Sequence, residues 1–212
     1  MPTTSTQKYI QPSEVSIKAG DGGKRVAVFC GSASDLHPEY HQAATHLVDL
    51  LAAKKCALVY GGGSWGLMGT IAQRADHHGL PILGVLPDFM QTTCGKCFGE
   101  NVIVEGMAER KTVIDAHADV FVILPGGFGT QDEMSEMLTW NQLGINNKLI
   151  GILNTRGFYT AWWDWCQRAV KEGFVREIYL KNIIFANTPE ELVDQIVNKN
   201  PEPIPGKFIT RA

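Results

Sequence analysis

The stretch Ile123–Trp140, ILPGGFGTQDEMSEMLTW, contains an apolar strand-like run, a turn with three glycines, and a helical pattern that begins with acidic residues. A strand that passes through a glycine turn into a helix is the unit from which parallel α/β sheets are built. Such a turn usually receives an anion, because the first N–H groups of a helix lack partners within it. Asp132 and Glu133 stand where that anion is expected, so their role needs an explanation.

The same alternation of apolar runs and helical periodicity continues from Lys24 onward. The predicted strands are Val26–Cys30, Ala57–Tyr60, Ile82–Leu86, Val102–Val104, Val120–Leu124, Leu149–Leu153 and Ile183–Phe185. The predicted helices are Pro38–Lys54, Leu67–His78, Ala108–Ala118, Asp132–Gln142, Tyr159–Glu172 and Pro189–Val197. Continuous apolar strands separated by helices predict an α/β fold, a Rossmann-like doubly wound, mainly parallel sheet with helices on both faces. We expect its site at the carboxyl ends of the strands.

Length and composition predict one domain that works on a small molecule. The 212 residues divide into a disordered polar tail (1–23), a single Rossmann-like domain (24–199) and a C-terminal tail (200–212). The net charge of −3, without a block of Lys or Arg, argues against a nucleic-acid or membrane partner. The N-terminal stretch lacks the apolar core of a secretory signal, and five cysteines, an odd number, suggest reduced thiols. We therefore expect a cytoplasmic protein.

Cys94 and Cys97 form a C-x-x-C motif in TTCGKC. Zinc needs about four ligands, and no second C-x-x-C or H-x-x-x-H motif supplies them. A redox pair is expected to open a helix directly after a strand, whereas this pair lies in a loop a few residues beyond ILGVLP. We assign the pair no function and expect neither a metal nor a cofactor.

Glycine-bearing turns follow three of the strands: FCGSAS, YGGGSWGLMG and LPGGFGT. Glycine lets backbone N–H groups approach a phosphate without a Cβ in the way. The middle turn also fits G-x-G-x-x-G through Gly61, Gly63 and Gly66, and Asp88 would be the acid of that dinucleotide fingerprint. However, Asp88 follows Pro87, the turn belongs to the second strand, and PGGFGT would have no role. An NAD(P)-binding oxidoreductase is therefore one alternative.

Two interpretations are open for the acids of the first stretch. Thr130 as N-cap and Glu133 three residues later would form a capping box, which serves stability alone. If instead a phosphate binds the amides of Gly127–Thr130, a nearby carboxylate repels it at a cost on the order of 1 kcal/mol. Such a carboxylate should then act on the sugar or on a water. Arg110 and Lys111 are similarly open, because a basic helix face is often simply solvated.

Several motifs together resemble the LOG family, the cytokinin-activating phosphoribohydrolases long mislabelled as lysine decarboxylases. PGGFGTQDE resembles the signature PGGxGTxxE, GMAERK resembles the M-x-x-R-K element, YGGGSWGLMG resembles the second glycine loop, and LTWNQLG resembles the segment after the signature. The resemblance covers about residues 24–197. It implies hydrolysis of the N-glycosidic bond of N6-substituted adenosine 5′-monophosphates, with AMP as a further candidate, to free base and ribose 5-phosphate. It also implies a homodimer or a higher homo-oligomer.

The resemblance places the chemistry on named residues. Arg110 and Glu133 match the catalytic arginine and glutamate. The carboxylate of Glu133 would stabilise oxocarbenium charge and orient a water, while Arg110 would act as a fixed hydrogen-bonding cation. A non-catalytic nucleotide carrier is the second alternative, since the glycine turns alone would suffice for it. The predicted substrate-binding residues are Ser32, Gly62, Gly63, Met107, Lys111, Gly126, Gly127, Phe128, Gly129, Thr130, Asp132 and Thr139.

The chain also departs from the commonest family pattern. Ala108 stands where plant members usually have His, and Phe128 replaces a frequent Tyr. Gln131 and Asp132 replace Leu-Glu, and Thr92 or a neighbour stands where many members have a glutamate. These changes leave the preferred N6 substituent open.

Overall fold

The computed structural model describes residues 9–10 and 12–207. In this part of the chain the strands are β1 (Tyr9–Ile10), β2 (Arg25–Phe29), β3 (Ala57–Tyr60), β4 (Ile82–Pro87), β5 (Glu100–Val104), β6 (Val120–Ile123), β7 (Leu149–Leu153) and β8 (Ile183–Ala186). The α-helices are α1 (Pro38–Ala53), α2 (Gly66–His77), α3 (Met107–Ala116), α4 (Phe128–Leu143), α5 (Thr160–Lys171) and α6 (Pro189–Asn198). Short 3-10 helices cover Pro12–Glu14, Asp88–Met90, Thr155–Gly157 and Glu177–Leu180.

The strands form one parallel sheet in the order β1-β5-β4-β3-β2-β6-β7-β8. From β2 the chain winds outward to one edge and then returns to β6, beside β2, and winds to the other edge. The switch point therefore lies between β2 and β6, where ligands bind in open α/β sheets. The turns after β2, β3 and β6 all lie beside it. The predicted doubly wound fold is confirmed.

Two apolar layers cover the faces of the sheet. Helices α1, α2 and α6 pack on one face, where Leu47 and Ile71 are fully buried. Helices α3, α4 and α5 pack on the other face, and Ile114 and Met134 are buried there. Every residue of β3, β6 and β7 is buried. Burial on both faces explains why these strands are continuous apolar runs without polar alternation.

The N-terminal segment is part of the domain where it is described. β1 pairs in parallel with β5, Ile17 is buried in the layer of α3 and α4, and Gly20 donates its N–H to the carbonyl of Lys55 at 2.8 Å. For residues 9–10 and 12–23, the prediction of a disordered tail is therefore wrong. The polar composition of this segment gives no sign of its ordered structure, because one buried apolar side chain and backbone hydrogen bonds are enough to hold it against the domain. The rest of the predicted tail, 1–8 and 11, lies outside the described residues.

The C-terminal segment also contacts the domain. Asn182 accepts a hydrogen bond from the N–H of Glu202 at 2.8 Å, and its amide donates to the carbonyl of Glu202 at 2.9 Å. The N–H of Lys207 donates to Gln142 O at 2.9 Å. Residues 200–207 thus run along the surface without a helix or strand, and residues 208–212 lie outside the described part.

Helix α4 begins at Phe128, four residues before the predicted start at Asp132. Its N-cap is Gly127, whose backbone is extended, and no side chain caps the helix. The predicted capping box of Thr130 and Glu133 is therefore wrong: Thr130 lies in the first turn and Glu133 in the second. Glycine has a low intrinsic helix propensity, which is why the sequence suggested a later start.

No helix among residues 9–10 and 12–207 has both the length and the apolar character that crossing a bilayer would require.

Candidate active site

Arg110 of α3 and Glu133 of α4 meet at the carboxyl end of the sheet. Arg110 Nη1 donates to Glu133 Oε1 at 2.8 Å. The remaining guanidinium donors bind main-chain carbonyls, Nε to Val85 at 3.0 Å and Nη2 to Gly61 at 3.4 Å. Arg110 is only 7% exposed and Glu133 only 6%. The interpretation of this arginine as part of a solvated basic face is therefore wrong.

Burial governs the charge on Glu133. Desolvation raises the pKa of the Glu133 carboxyl above its usual range, the Arg110 guanidinium opposes this shift, and the neighbouring Asp132 adds to it. Within the described residues, Arg110 is the one donor that hydrogen-bonds this carboxylate, and it does so through Oε1. The site therefore holds a carboxylate in a largely dry environment and fixes it from one side.

The N-terminus of α4 offers backbone donors beside this pair. The first hydrogen bond of the helix runs from the N–H of Gln131 to the carbonyl of Gly127 at 3.0 Å. The N–H groups of Phe128, Gly129 and Thr130 therefore precede the intrahelical ladder. These donors and the dipole of a helix of 16 residues favour an anion at this end.

The glycines of this turn divide into two kinds. A Cβ added at Gly126 would collide with Thr130 and with the backbone N of Gly31, so close packing requires glycine there. A Cβ added at Gly127 or Gly129 would meet nothing within 4 Å. Packing among the described residues thus does not explain these two glycines, whereas the close approach of a ligand would.

The first glycine turn lies against the third. Gly31 donates its N–H to Pro125 O at 3.0 Å, which joins the ends of β2 and β6 at the switch point. Ser32, Gly126 and Gly127 line a cavity of about 280 Å³ at this junction. Its apolar wall consists of Leu36, Tyr40 and Phe158. Sequence patterns do not predict this wall, because its residues come from the segment before α1, from α1 itself and from the segment before α5, and share no sequence signal.

The second glycine turn, residues 61–66, makes room for the arginine. A Cβ at Gly61 would overlap the guanidinium of Arg110, and a Cβ at Gly62 would strike Leu86. Gly62 also has a φ of +78°, which a residue with a side chain rarely adopts. The turn therefore needs these two glycines for its own structure, whereas a Cβ added at Gly63 would come no closer than 3.3 Å to Met68.

The NAD(P) alternative finds no support in this geometry. Gly66 has a φ of +56° and packs on the backbone of Ser32 and Ala33, so its identity has a structural cause. Asp88 Oδ1 accepts a hydrogen bond from the N–H of the next residue, Phe89, at 2.6 Å. The carboxylate of Asp88, the acid of the dinucleotide fingerprint, thus makes a local hydrogen bond within its own turn.

Lys111 and Asp132, both predicted to bind substrate, contact each other. Lys111 Nζ lies 2.9 Å from Asp132 Oδ2 and also binds Glu136. Burial alone lowers the pKa of Lys111, but the hydrogen bonds to Glu136 and Asp132 outweigh it and the pKa is raised. Lys111 is only 8% exposed, so it too is no solvated surface residue, while the Asp132 side chain is 58% exposed.

The last three residues predicted to bind substrate, Met107, Phe128 and Thr139, lie in different places relative to the cavity between the glycine turns. Met107 is the first residue of α3 and is 37% exposed, and Phe128, 96% exposed, points into solvent at the start of α4. Thr139 lies further along α4, where its hydroxyl donates to Ser135 O at 2.8 Å. It lines a groove together with Trp162 and not the cavity between the glycine turns. Its contact with substrate stays a prediction.

The described residues contain no cluster of three or more His, Cys, Asp or Glu side chains that could hold a metal ion. Cys30 is buried near the ion pair, as expected for a structural thiol. Burial raises the pKa of Cys30, and the Glu133 carboxylate raises it further. This thiol is therefore kept protonated and is a poor nucleophile.

Comparison with known proteins gives a consistent family match. Residues 68–196 match a family model described as possible lysine decarboxylase. The cytokinin riboside 5′-monophosphate phosphoribohydrolase LOG7 of Arabidopsis thaliana is 41% identical over 181 residues, which cover 84% of this chain and 83% of that protein. The enzyme LOG of Oryza sativa subsp. japonica is also 41% identical over 181 residues, covering 84% and 75%.

A solved structure shows the same fold. The molybdenum cofactor carrier protein of Chlamydomonas reinhardtii matches with a TM-score of 0.64 over 84% of this chain and 99% of that one. At 18% identity this likeness concerns the architecture and not the activity.

The buried ion pair generates a stability prediction. Arg110→Met should lower the free energy of unfolding by about 3–5 kcal/mol near neutral pH, because it leaves the Glu133 carboxylate buried without its counter-charge. The loss should shrink at mildly acidic pH. Without Arg110, which opposes the effect of desolvation, the pKa of Glu133 should rise further, so stability is unaffected below the unfolded pKa and is lost as pH rises through the folded pKa. Urea unfolding at several pH values measures both effects.

The double variant Arg110→Met/Glu133→Gln serves as the matched control. It removes both charges together, so it should recover much of the stability lost in Arg110→Met and show a flatter pH profile. Strict additivity of the two single variants would contradict a coupled pair.

Proposed function

This chain belongs to the LOG family, described as possible lysine decarboxylases, and we propose that it hydrolyses the N-glycosidic bond of N6-substituted adenosine 5′-monophosphates. The products are the free base and ribose 5-phosphate. Matching relatives are named cytokinin riboside 5′-monophosphate phosphoribohydrolases, so the chain is a hydrolase. The observation that carries the proposal is the buried pair of Arg110 and Glu133 beside the uncapped N-terminus of α4.

The 5′-phosphate is assigned to the start of α4. The N–H groups of Phe128, Gly129 and Thr130 supply donors, and Gly127 and Gly129 leave open space for a close approach. A phosphate held there is remote from the bond that breaks. Its binding energy can therefore position the ribose against Glu133 and contribute to the rate as well as to affinity.

Glu133 is assigned to the reacting end of the ribose. As the bond between C1′ and the purine nitrogen breaks, its electron pair leaves with the base and positive charge develops on the ribose. The base takes up a proton from solvent, and the water that attacks C1′ loses one to solvent, so the hydrolysis balances. A carboxylate in a dry site stabilises that charge strongly, and it also orients the water that attacks C1′. Arg110 fixes the carboxylate through Oε1 and stays protonated, so it acts by position and charge and does not donate a proton.

A non-catalytic carrier is less well supported by the same geometry. The glycine turns alone would hold a nucleotide, and a carrier would not need a buried carboxylate. Removing Arg110 and Glu133 from water costs free energy, which hydrogen bonds and mutual attraction only partly return. A site that keeps such a pair next to the ligand uses it for chemistry.

We also propose that the protein acts as a cytoplasmic homodimer. All five cysteines lie in the described part of the chain and no disulfide joins them, which suits a reducing compartment. A groove of about 170 Å³ between α4 and α5 is lined by Leu138, Trp162 and Trp165 among others. Trp165 is 61% exposed, and a large aromatic side chain beside an apolar groove is typical of a subunit interface.

Glu133→Gln should lower kcat/KM for N6-isopentenyl-AMP by roughly a hundredfold to a thousandfold, because the amide keeps the size of the side chain and loses its charge. Circular dichroism and thermal melting check that the variant is folded. Glu109→Gln changes an exposed acid one residue from Arg110 and should leave turnover unchanged. Near-normal turnover in folded Glu133→Gln would contradict the catalytic assignment of Glu133.

The activity of the wild type should also depend on the protonation of Glu133. Its kcat/KM should fall as pH decreases through the raised pKa of Glu133, which lies above the usual glutamate range.

Removal of the 5′-phosphate should lower kcat/KM by at least roughly a hundredfold, since several charge-assisted hydrogen bonds at the start of α4 are lost. The comparison is between AMP and adenosine, and between N6-isopentenyl-AMP and its nucleoside, at equal pH and salt. Release of free base is followed by chromatography. Equal values for a nucleotide and its nucleoside would mean that the α4 N-terminus does not hold a phosphate.

Light scattering at micromolar concentration should report a dimer or a larger assembly, and Trp165→Glu should shift it toward monomer, because a charge in an apolar interface loses its hydration. Ile145→Glu is the matched control: Ile145 is 62% exposed and lies outside this groove. A fully active wild-type monomer would contradict the assembly.

A further inference from the structure

Two buried thiols lie close together beneath the second glycine turn. The sulfur atoms of Cys94 and Cys97 are 3.5 Å apart, and the two residues are 3% and 9% exposed. The Cys94 thiol donates to Gln91 O at 3.2 Å. Between the cysteines, Gly95 has a φ of +76°, which folds the segment back on itself and brings the two side chains together.

From this arrangement we propose that Cys94 and Cys97 are a modification site, at which a reversible disulfide forms by exchange with a small-molecule disulfide and lowers activity through the second glycine turn. The site is distinct from a redox-catalytic motif, because the pair opens no helix. It is also distinct from a metal site, because no further ligand completes it among the residues described. The effect on hydrolysis rests on the proposed function.

Hydrogen bonds connect the cysteine segment to the glycine turn. Both the N–H and the hydroxyl of Ser64 donate to Cys94 O, at 2.8 and 3.0 Å. The indole of Trp65 donates from Nε1 to Thr93 O at 2.8 Å. A displacement of residues 93–95 therefore moves the far end of the turn that begins at Gly61.

Packing provides a second connection. Leu86 forms one buried cluster with Cys94 and Cys97, and the same leucine lies directly under Gly62. The carbonyl of Gly61, the residue before Gly62, accepts the hydrogen bond from Arg110 Nη2. A change in the thiol pair thus reaches the guanidinium that fixes Glu133 through a continuous set of contacts.

The exchange balances with one external disulfide. One cysteine thiolate, for which we assign the more exposed Cys97, attacks the external disulfide, forms a mixed disulfide and releases one thiol. The second cysteine, as thiolate, attacks the mixed disulfide, forms the Cys94–Cys97 bond and releases the second thiol. Each leaving group departs as a thiolate, and the two protons lost by the cysteines pass through water to these two thiolates, so the external disulfide is reduced to two thiols and the exchange balances. The two sulfurs must approach by roughly 1.5 Å, and this movement displaces the segment that holds Ser64 and Trp65.

The test oxidises the whole protein with oxidised glutathione and then reverses the reaction with dithiothreitol. Mass spectrometry of the unreduced peptide that contains both cysteines should show the loss of two hydrogens. Oxidation should lower kcat/KM for N6-isopentenyl-AMP by at least roughly fivefold, because a displaced turn misplaces the ion pair, and reduction should restore it. AMP affinity, measured by calorimetry, should weaken in parallel.

Three variants make the result specific. Cys97→Ser should match the reduced wild type in activity and be insensitive to the oxidant, and Cys97→Ala replaces it if the serine variant does not fold. Cys166→Ser removes another buried thiol, on α5, and should leave the sensitivity intact. Absence of the internal disulfide would overturn the modification site, and a disulfide without any change in activity or AMP affinity would overturn the coupling. Because mass spectrometry and calorimetry need no turnover, the proposal is decided even if the reduced protein hydrolyses no nucleotide.

Discussion

A guanidinium buried at the carboxyl end of the sheet organises the site. Arg110 cannot lose its proton, so a position with 7% exposure is tolerable only if its donors find acceptors. It finds them in three places: the carbonyl of Gly61 at the start of the second glycine turn, the carbonyl of Val85 in β4, and the carboxylate of Glu133 in α4. The positions of α3, α4 and the glycine turn are therefore mutually dependent, and the requirement for glycine at position 61 follows from the room that this one side chain takes.

The question of the two adjacent acids is answered by the register of α4. Because the helix starts at Phe128, the backbone N–H groups that suit an anion belong to residues 128–130. They come before both carboxylates, Asp132 and Glu133, in the chain. Neighbours on a helix are about 100° apart, so the acids face different surroundings. Glu133 turns inward to Arg110, whereas Asp132 stays largely exposed and pairs with Lys111. Neither acid caps the helix, and two carboxylates that are adjacent in sequence do not share a function.

Sequence patterns predicted the architecture well, because parallel strands buried on both faces leave a strong apolar signal. Two strands, β3 and β7, have the predicted bounds, and the family motifs selected Arg110 and Glu133, which the fold brings into contact. Several of the failures share a physical origin. The carbonyl of Val85, the backbone bond from Gly20 and the helical conformation of a glycine-rich segment involve main-chain atoms, which every residue possesses. Such contacts carry no residue-type signal, so patterns in side chains do not reveal them.

On the phosphate assignment proposed above, the uncapped start of α4 links the lifetime of the protein to the supply of its ligand. Helix α4 has Gly127 as its N-cap and no side-chain cap, so it forgoes roughly a few tenths of a kcal/mol that a serine or aspartate at this position would contribute. A bound phosphate supplies those missing contacts, and any ligand that binds only the native state adds RT ln(1 + [L]/Kd), about 2.7 kcal/mol at a hundredfold excess over Kd. Unfolded chains are the ones that cellular proteases remove. Cells rich in the nucleotide would therefore retain more of this protein, and cells depleted of it would clear the empty form faster, with no change in its synthesis.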